Sequence, residues 1–286
     1  MADDGAVALV CPACRRAEEG RLLYRGLARD GAVLRCACGR RYPVIDGVPV
    51  VLTELRQWAE SEGAPALRRR DIADEVVDLV ATDTATARNQ RLLRAYREAP
   101  ASPLSGWVSS ALSGSTTPIL EIGAGIGHPG TIRLDLNLTL LLAGPPVPPL
   151  VDGPDGVMLA AGAAIVADAT DPPFLAGSFA TVAVLNLLDS CRDPALALAQ
   201  ADALVGPGGK LVVACAYAFS AEVTPEESWF DEHELLAALA GNRTFRGHAL
   251  DCRLVAEPED LDWELPAGPR TRHVHRVQVL VARRPG

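Results

Sequence analysis

The chain has 286 residues, 49% hydrophobic and 22% charged, enough for one medium α/β domain with a small appendage and a proper buried core. Its net charge of −9 excludes a protein that grips nucleic-acid phosphates over its whole surface, and no apolar run is long enough to cross a bilayer. The opening Met1-Ala-Asp-Asp4 lacks the basic start and apolar middle of a secretion signal, so a cytoplasmic location is expected.

Residues 1–55 read as a small β domain. Two thiol pairs, Cys11-Pro-Ala-Cys14 and Cys36-Ala-Cys38, flank strand-like pieces at Arg21–Tyr24 and Ala32–Arg35, with a turn at Arg29-Asp-Gly31 and a strand-like run from Tyr42 to Leu52. Disulfides are not expected in a cytoplasmic chain. Two thiolate pairs on hairpin knuckles instead supply the tetrahedral sulfur cage that zinc favours, and a unit this short needs such a staple. Cys11, Cys14, Cys36 and Cys38 are therefore the expected ligands of a structural zinc, while Cys191, Cys215 and Cys252 stand singly as small core hydrophobes. The segment Cys38-Gly-Arg-Arg-Tyr-Pro-Val-Ile-Asp-Gly-Val-Pro49 resembles the small zinc-ribbon proteins that activate tRNA and protein methyltransferases. A single residue separates Cys36 from Cys38 where two are usual, which strains chelation by both.

Charge is uneven along the chain. Residues 1–70 hold twelve Arg and nine acidic residues (net +3), and the other 216 hold fifteen basic and twenty-seven acidic ones (net −12). Residues 56–116 form an expected helical linker or substrate cap, with helices over 66–81, 84–98 and 103–112.

From Thr117 to the end, short apolar runs alternate with helical patterns, which predicts a mostly parallel sheet. Strands are expected at Ile119–Gly123, Ile132–Leu136, Ala164–Asp168, Thr181–Asn186, Lys210–Ala216, Leu250–Ala256 and Val274–Ala282, and helices at Asn137–Ala143, Asp193–Val205 and Asp231–Ala240. The proline-rich Gly144–Pro149 stretch reads as an irregular insertion, either a lid or a disordered loop.

The run Pro118-Ile-Leu-Glu-Ile-Gly-Ala-Gly-Ile-Gly127, followed by Ile132-Arg-Leu-Asp135, carries the chemistry. A buried strand opening into a Gly-x-Gly-x-Gly turn brings bare backbone against a ligand, and a carboxylate closing the next strand can accept both hydroxyls of a ribose. This stretch resembles the first motif and acidic loop of class I S-adenosylmethionine-dependent methyltransferases. Three further segments extend the resemblance: Ile165-Val-Ala-Asp168 with Pro173-Phe174, Val184-Leu-Asn186-Leu-Leu-Asp189, and Val205-Gly-Pro-Gly-Gly-Lys-Leu-Val-Val213. It implies an α/β fold with a seven-stranded Rossmann-like methyltransferase sheet over residues 117–286, whose last strand inserts antiparallel. It also implies S-adenosylmethionine as cofactor, held by Glu121, Gly123, Gly125, Gly127, Asp135, Leu136, Asp168, Ala169 and Asn186. One departure stands out: the four residues between Gly127 and Ile132 leave no room for a crossover helix, so an Arg or loop amides must do its work.

The segment Ala214–Trp229, with Tyr217, Thr224-Pro225 and Trp229, resembles the methyltransferase module of ovothiol biosynthesis, which alkylates a thiohistidine imidazole; Leu261-Asp-Trp-Glu-Leu265 with Arg270 and Arg272 echoes that module's end. The resemblance implies a small polar metabolite as acceptor. Asn186, Asp189 and Tyr217 are the expected orienting groups and His233 the expected general base, although His233 lies in a charged helical first turn that equally suits a solvated residue. Trp229 and Trp263 are candidate stacking surfaces, while His273 and His275 read as structural. Nucleic acid is not the expected partner, because the body is acidic and lacks an Asn-Pro-Pro-Tyr-type motif; an RNA-base methyltransferase using the front end and Arg68–Arg70 is the main rival. A non-catalytic binding subunit and an enzyme that consumes S-adenosylmethionine itself are two further rivals. The oligomeric state is not written in the sequence.

Overall fold

A computed structural model describes residues 5–18, 21–59, 102–242, 244–268 and 270–286. The chain divides into two compact units: residues 1–93 with 124–175, and residues 94–123 with 176–286. The helices expected over 66–81 and 84–98, and with them Arg68–Arg70, lie outside the described residues.

The first unit begins with the cysteine-bearing ribbon. Strand β1 (Val7–Ala8) leads into the Pro12–Cys14 turn, followed by the hairpin β2 (Arg16–Glu18) and β3 (Arg21–Leu23), then β4 (Leu27–Asp30), β5 (Val33–Cys36), β6 (Arg41–Ile45) and β7 (Val48–Pro49), which meander antiparallel. A short helix α1 (Leu55–Trp58) follows.

Residues 102–123 belong to the second unit. Helix α2 (Pro103–Leu112) matches the predicted bounds, because Ser102 and Ser105 cap it reciprocally and Pro103 is preset for a first turn. Strand β8 (Ile119–Ile122) follows.

The chain then returns to the first unit. Residues 124–131 form a bare loop, as their number required, before β9 (Ile132–Asp135). Helix α3 (Leu138–Ala143) starts at Asn137, whose side chain accepts from Leu140 N at 3.2 Å. The proline-rich Gly144–Pro149 stretch carries no helix or strand, and just past it β10 (Val151–Gly153) and β11 (Gly156–Leu159) form a hairpin whose β11 pairs antiparallel with β1 of the ribbon. Strand β12 (Ala164–Val166) runs parallel to β9, with Val166 opposite Asp135. Val50 makes an isolated parallel bridge to Val166, and Ile45, Val48, Val50, Leu52 and Trp58 share one core with Leu138, Leu141, Ala164 and Val166.

The rest is the second unit. It holds β13 (Phe179–Leu185), helix α4 (Pro194–Leu204) capped by Asp193, β14 (Val205–Cys215), helix α5 (Glu232–Ala237) capped by Asp231, a small hairpin of β15 (Thr244–Phe245) and β16 (His248–Ala249), and β17 (Arg253–Leu254), β18 (Glu259–Gly268) and β19 (Thr271–Arg283). Strands β8, β13 and β14 run parallel, β19 lies antiparallel against β14, and β17 and β18 both pair with β19. All seven expected strands are present, and the last inserts antiparallel. Only two residues of the expected Leu250–Ala256 strand are assigned, because the N–H groups of Asp251 and Cys252 turn instead to the buried Asp202 carboxylate at 2.8 Å. Strand β18 goes beyond the expected set. No described helix is long and apolar enough to cross a membrane.

Candidate functional site

The four ribbon cysteines converge. Their sulfurs all lie within 4.8 Å of one another, with Cys11–Cys38 at 3.9 Å and Cys14–Cys36 at 3.6 Å. Zinc–thiolate bonds of about 2.3 Å place the corners of a tetrahedron about 3.8 Å apart, so the sulfur set has the size and softness of a zinc cage. The short Cys36-x-Cys38 spacing is accommodated by a tight turn: the Cys38 N–H faces Cys36 Sγ at 3.5 Å, and Gly39 adopts a φ of +91°. The Arg40 backbone N–H beside Cys38 draws its thiol down to about 7, whereas burial pushes Cys14 up to about 12. The buried Tyr42 hydroxyl lies 3.1 Å from Cys11 Sγ.

In the first unit the parallel strands β9 and β12 lead into two carboxylates at their C-terminal edge, the edge where open α/β sheets take ligands. Asp135 Oδ2 accepts from Gly125 N and Oδ1 from Asn137 N, both at 2.8 Å. Asp168 Oδ1 accepts from Thr170 N at 2.8 Å and from the Thr170 hydroxyl at 2.7 Å. Each carboxylate therefore holds an amide two residues further on, an Asx turn that fixes its rotamer. Leu136 beside them is 41% exposed, an apolar surface left open between polar neighbours, and Ala169 is 8% exposed. Gly125, Gly127 and Gly130 hold φ of +57°, +66° and +81°, so the loop turns without a helix.

Sequence reasoning did not single out Arg133, which organises this loop. Fully buried, it donates to the carbonyls of Ile126 (3.3 Å), Leu141 (3.0 Å), Pro145 (2.8 Å) and Gly162 (3.2 Å), tying the glycine loop to the end of α3 and the proline stretch. A Cβ at Gly144 would come 2.3 Å from its Nη1. The signal is legible in retrospect: a lone Arg amid the apolar run of Ile132–Leu134 must either break the strand or find such acceptors.

In the second unit, Glu121 is buried within β8, and Gly123 just beyond takes φ +69°, where a Cβ would lie 2.8 Å from Leu187 Cβ. The adjacent parallel strands β13 and β14 lead into Asn186 and Tyr217, both left-handed at φ +50° and +54°. Among the described residues, the buried Asn186 Oδ1 has no hydrogen-bond partner. The Tyr217 hydroxyl donates to Gln278 Oε1 at 2.6 Å, and burial raises its pKa. Asp189 is buried and accepts from Ala218 N at 2.9 Å, which secures the chain after β14. His233 stands apart from this group in its exposure: its side chain is 83% exposed, 3.8 Å from Glu232. Trp229 stacks on Phe219 and donates to Thr224 O, and Thr224 is itself buried and bonded to Cys191 O, so these residues brace the unit's interior. Trp263 packs beside His275 on the β18–β19 hairpin.

No protein-family model and no curated protein matches the chain. Among solved structures it is similar to a complex of a Haloferax volcanii methyltransferase activator and a methyltransferase (16% identity, 70% of this chain and 94% of that one, TM-score 0.42). It is also similar to a protein studied for the conversion of a disulfide into a thioacetal in echinomycin biosynthesis (15%, 66% and 85%, 0.41) and to a Methanosarcina mazei SAM-dependent methyltransferase (16%, 58% and 92%, 0.38).

Proposed function

We propose that this chain is an S-adenosylmethionine-dependent methyltransferase of class I type, carrying a structural zinc and acting on a small polar metabolite, with an amino-acid or imidazole nitrogen as the favoured acceptor. The observation that carries the reading is the pair of Asx-turned carboxylates, Asp135 and Asp168, at the ligand-binding edge of two parallel strands, one of them clasping the glycine loop. In this reading Asp135 receives the ribose hydroxyls, Asp168 the adenine amino group, and Leu136 and Ala169 lie against the base. Glu121, Gly123, Gly125, Gly127 and Asn186 complete the proposed cofactor set on the strength of the sequence resemblance. Cys11, Cys14, Cys36 and Cys38 would hold the zinc, whose contribution is to fold the ribbon.

When bound, the cofactor supplies an electrophilic methyl group on a sulfonium. The chain's own part is to orient the acceptor and to accept its hydrogen bonds. Among the described residues Asn186 Oδ1 is an acceptor without a donor, the group a substrate N–H would satisfy. Asp189 holds the Ala218 amide and Tyr217 is bonded to the Gln278 side chain, so each is already engaged rather than presented as a base. His233, being exposed, is the weakest of the four proposed catalytic residues.

The helix-free loop over residues 124–131 favours one rival, a binding subunit that retains the fold without turnover. Calorimetry with S-adenosylhomocysteine, followed by methyl-transfer assays on a panel of amino acids and imidazoles, separates the readings. Binding with transfer supports the proposal, whereas absence of binding, or binding without transfer to any acceptor, defeats it and supports the subunit.

A further inference from the structure

The residue that follows Cys14 reaches across the first unit to the loop behind Asp168. Arg15 sits at the end of the Pro12–Cys14 turn, its side chain 14% exposed, and its guanidinium donates to the carbonyls of Pro172 and, at 3.1 Å, Phe174 while pairing with the Asp171 carboxylate. One residue before the first cysteine, Val10 N donates to Pro173 O at 3.0 Å. The Cys11–Cys14 knuckle therefore grips residues 171–174 from both of its ends. Asp171 N in turn donates to Asp168 O at 3.1 Å, closing the turn in which Thr170 clasps the Asp168 carboxylate. Burial raises the Asp171 carboxyl and the Arg15 charge opposes this, with the Asp168 charge adding to the burden, so Arg15 is what keeps two neighbouring carboxylates compatible with one tight turn.

We propose that Arg15 is a positioning residue that couples the cysteine cluster to the Asp168 turn, so that zinc in the ribbon and nucleoside at the strand ends favour one another's binding. The proposal rests on the cofactor reading above. A planar fork serves here because it meets two carbonyls and one carboxylate at once, which an ammonium cannot do with fixed geometry. Linkage is reciprocal: if zinc holds the turn in the binding form, ligand bound at the turn must hold the zinc.

The test uses the full, zinc-loaded chain and reads the rate at which zinc passes to a chromogenic chelator, with and without saturating S-adenosylhomocysteine. Coupling of ordinary size predicts that the ligand slows zinc loss about tenfold in the wild type. In Arg15→Ala, at matched saturation, the slowing disappears and ligand affinity falls; in Arg15→Lys part of both returns. A residue that merely stabilised the fold would speed zinc loss in Arg15→Ala yet leave the ligand's slowing effect intact. That outcome, or a wild-type rate indifferent to bound ligand, overturns the coupling while the cofactor reading stands. No binding of ligand to the wild type overturns the cofactor reading itself. Should Arg15→Ala fail to fold, Asp171→Asn removes the ion pair and keeps the carbonyl contacts, and the slowing is expected to be reduced; an unchanged slowing overturns the coupling.

Discussion

At the ends of β9 and β12, Asp135 and Asp168 are clasped by main-chain N–H groups two residues on, and the glycine loop is bound to one of them. At the ends of β13 and β14, Asn186 and Tyr217 instead sit in left-handed backbone, and the Asn186 amide oxygen meets no donor among the described residues. The first arrangement is held by the chain's own amides. The second keeps an unmet polar group and a sparsely populated backbone conformation, costs that persist where function needs them. Under the proposed function, the preorganised carboxylates of the first unit would serve the cofactor and the unmet amide oxygen of the second unit the acceptor.

Four substitutions break or sharpen that contrast. The largest effect is expected from Cys36→Ser, because a structural zinc supplies roughly 10 kcal/mol or more of apparent binding energy to a fold of this size. Metal analysis should find the zinc lost, and the thermal melt should show the first unit's transition broadened or absent while the second unit's persists. Next, Asp135→Ala strips an acceptor from two backbone amides in the first unit. The expected loss of roughly 2–4 kcal/mol in S-adenosylhomocysteine binding corresponds to about 30- to 1000-fold in affinity by calorimetry. Asn186→Gly probes the second unit, where the same kind of truncation should act with the opposite sign on stability. Removing an orphaned buried acceptor and freeing a left-handed φ should raise stability by about 1 kcal/mol in denaturant titration, while methyl transfer falls. Equal destabilisation by Asp135→Ala and Asn186→Gly would erase the contrast. The smallest effect is assigned to His233→Gln: an imidazole this exposed should change turnover less than about twofold, and a loss beyond about 100-fold, the low end for general-base removal, would restore it as the base.

Much of this is legible in the residues. Seven strands and the helices over 103–112, 137–143 and 193–205 lie within a few residues of their expected places, because capping groups such as Ser102, Asn137 and Asp193 sit where the apolar periods begin. The missing crossover helix follows from counting four residues. What sequence reasoning misses is obscured by its neighbours. The β10–β11 hairpin turns through Pro154-Asp155 between the paired Gly153 and Gly156, residues suited to a tight turn, but it follows a proline-rich run that reads as irregular. Strand β18 alternates Leu261, Trp263 and Leu265 with Asp262 and Glu264, a period of two hidden within a segment whose family echo draws the eye first. The contacts of Arg15 and Arg133 are long-range, with partners such as Pro172 and Gly162 that no local pattern announces.

The central claim is tested most directly by titrating S-adenosylhomocysteine into the zinc-loaded full chain and into its Asp135→Ala variant in the calorimeter. The account predicts saturable one-to-one binding to the wild type that is at least about 30-fold weaker in the variant, as expected when a preformed carboxylate cradle is removed. Absence of heat and of any thermal shift in the folded wild type, or equal affinity in the two proteins, would contradict it.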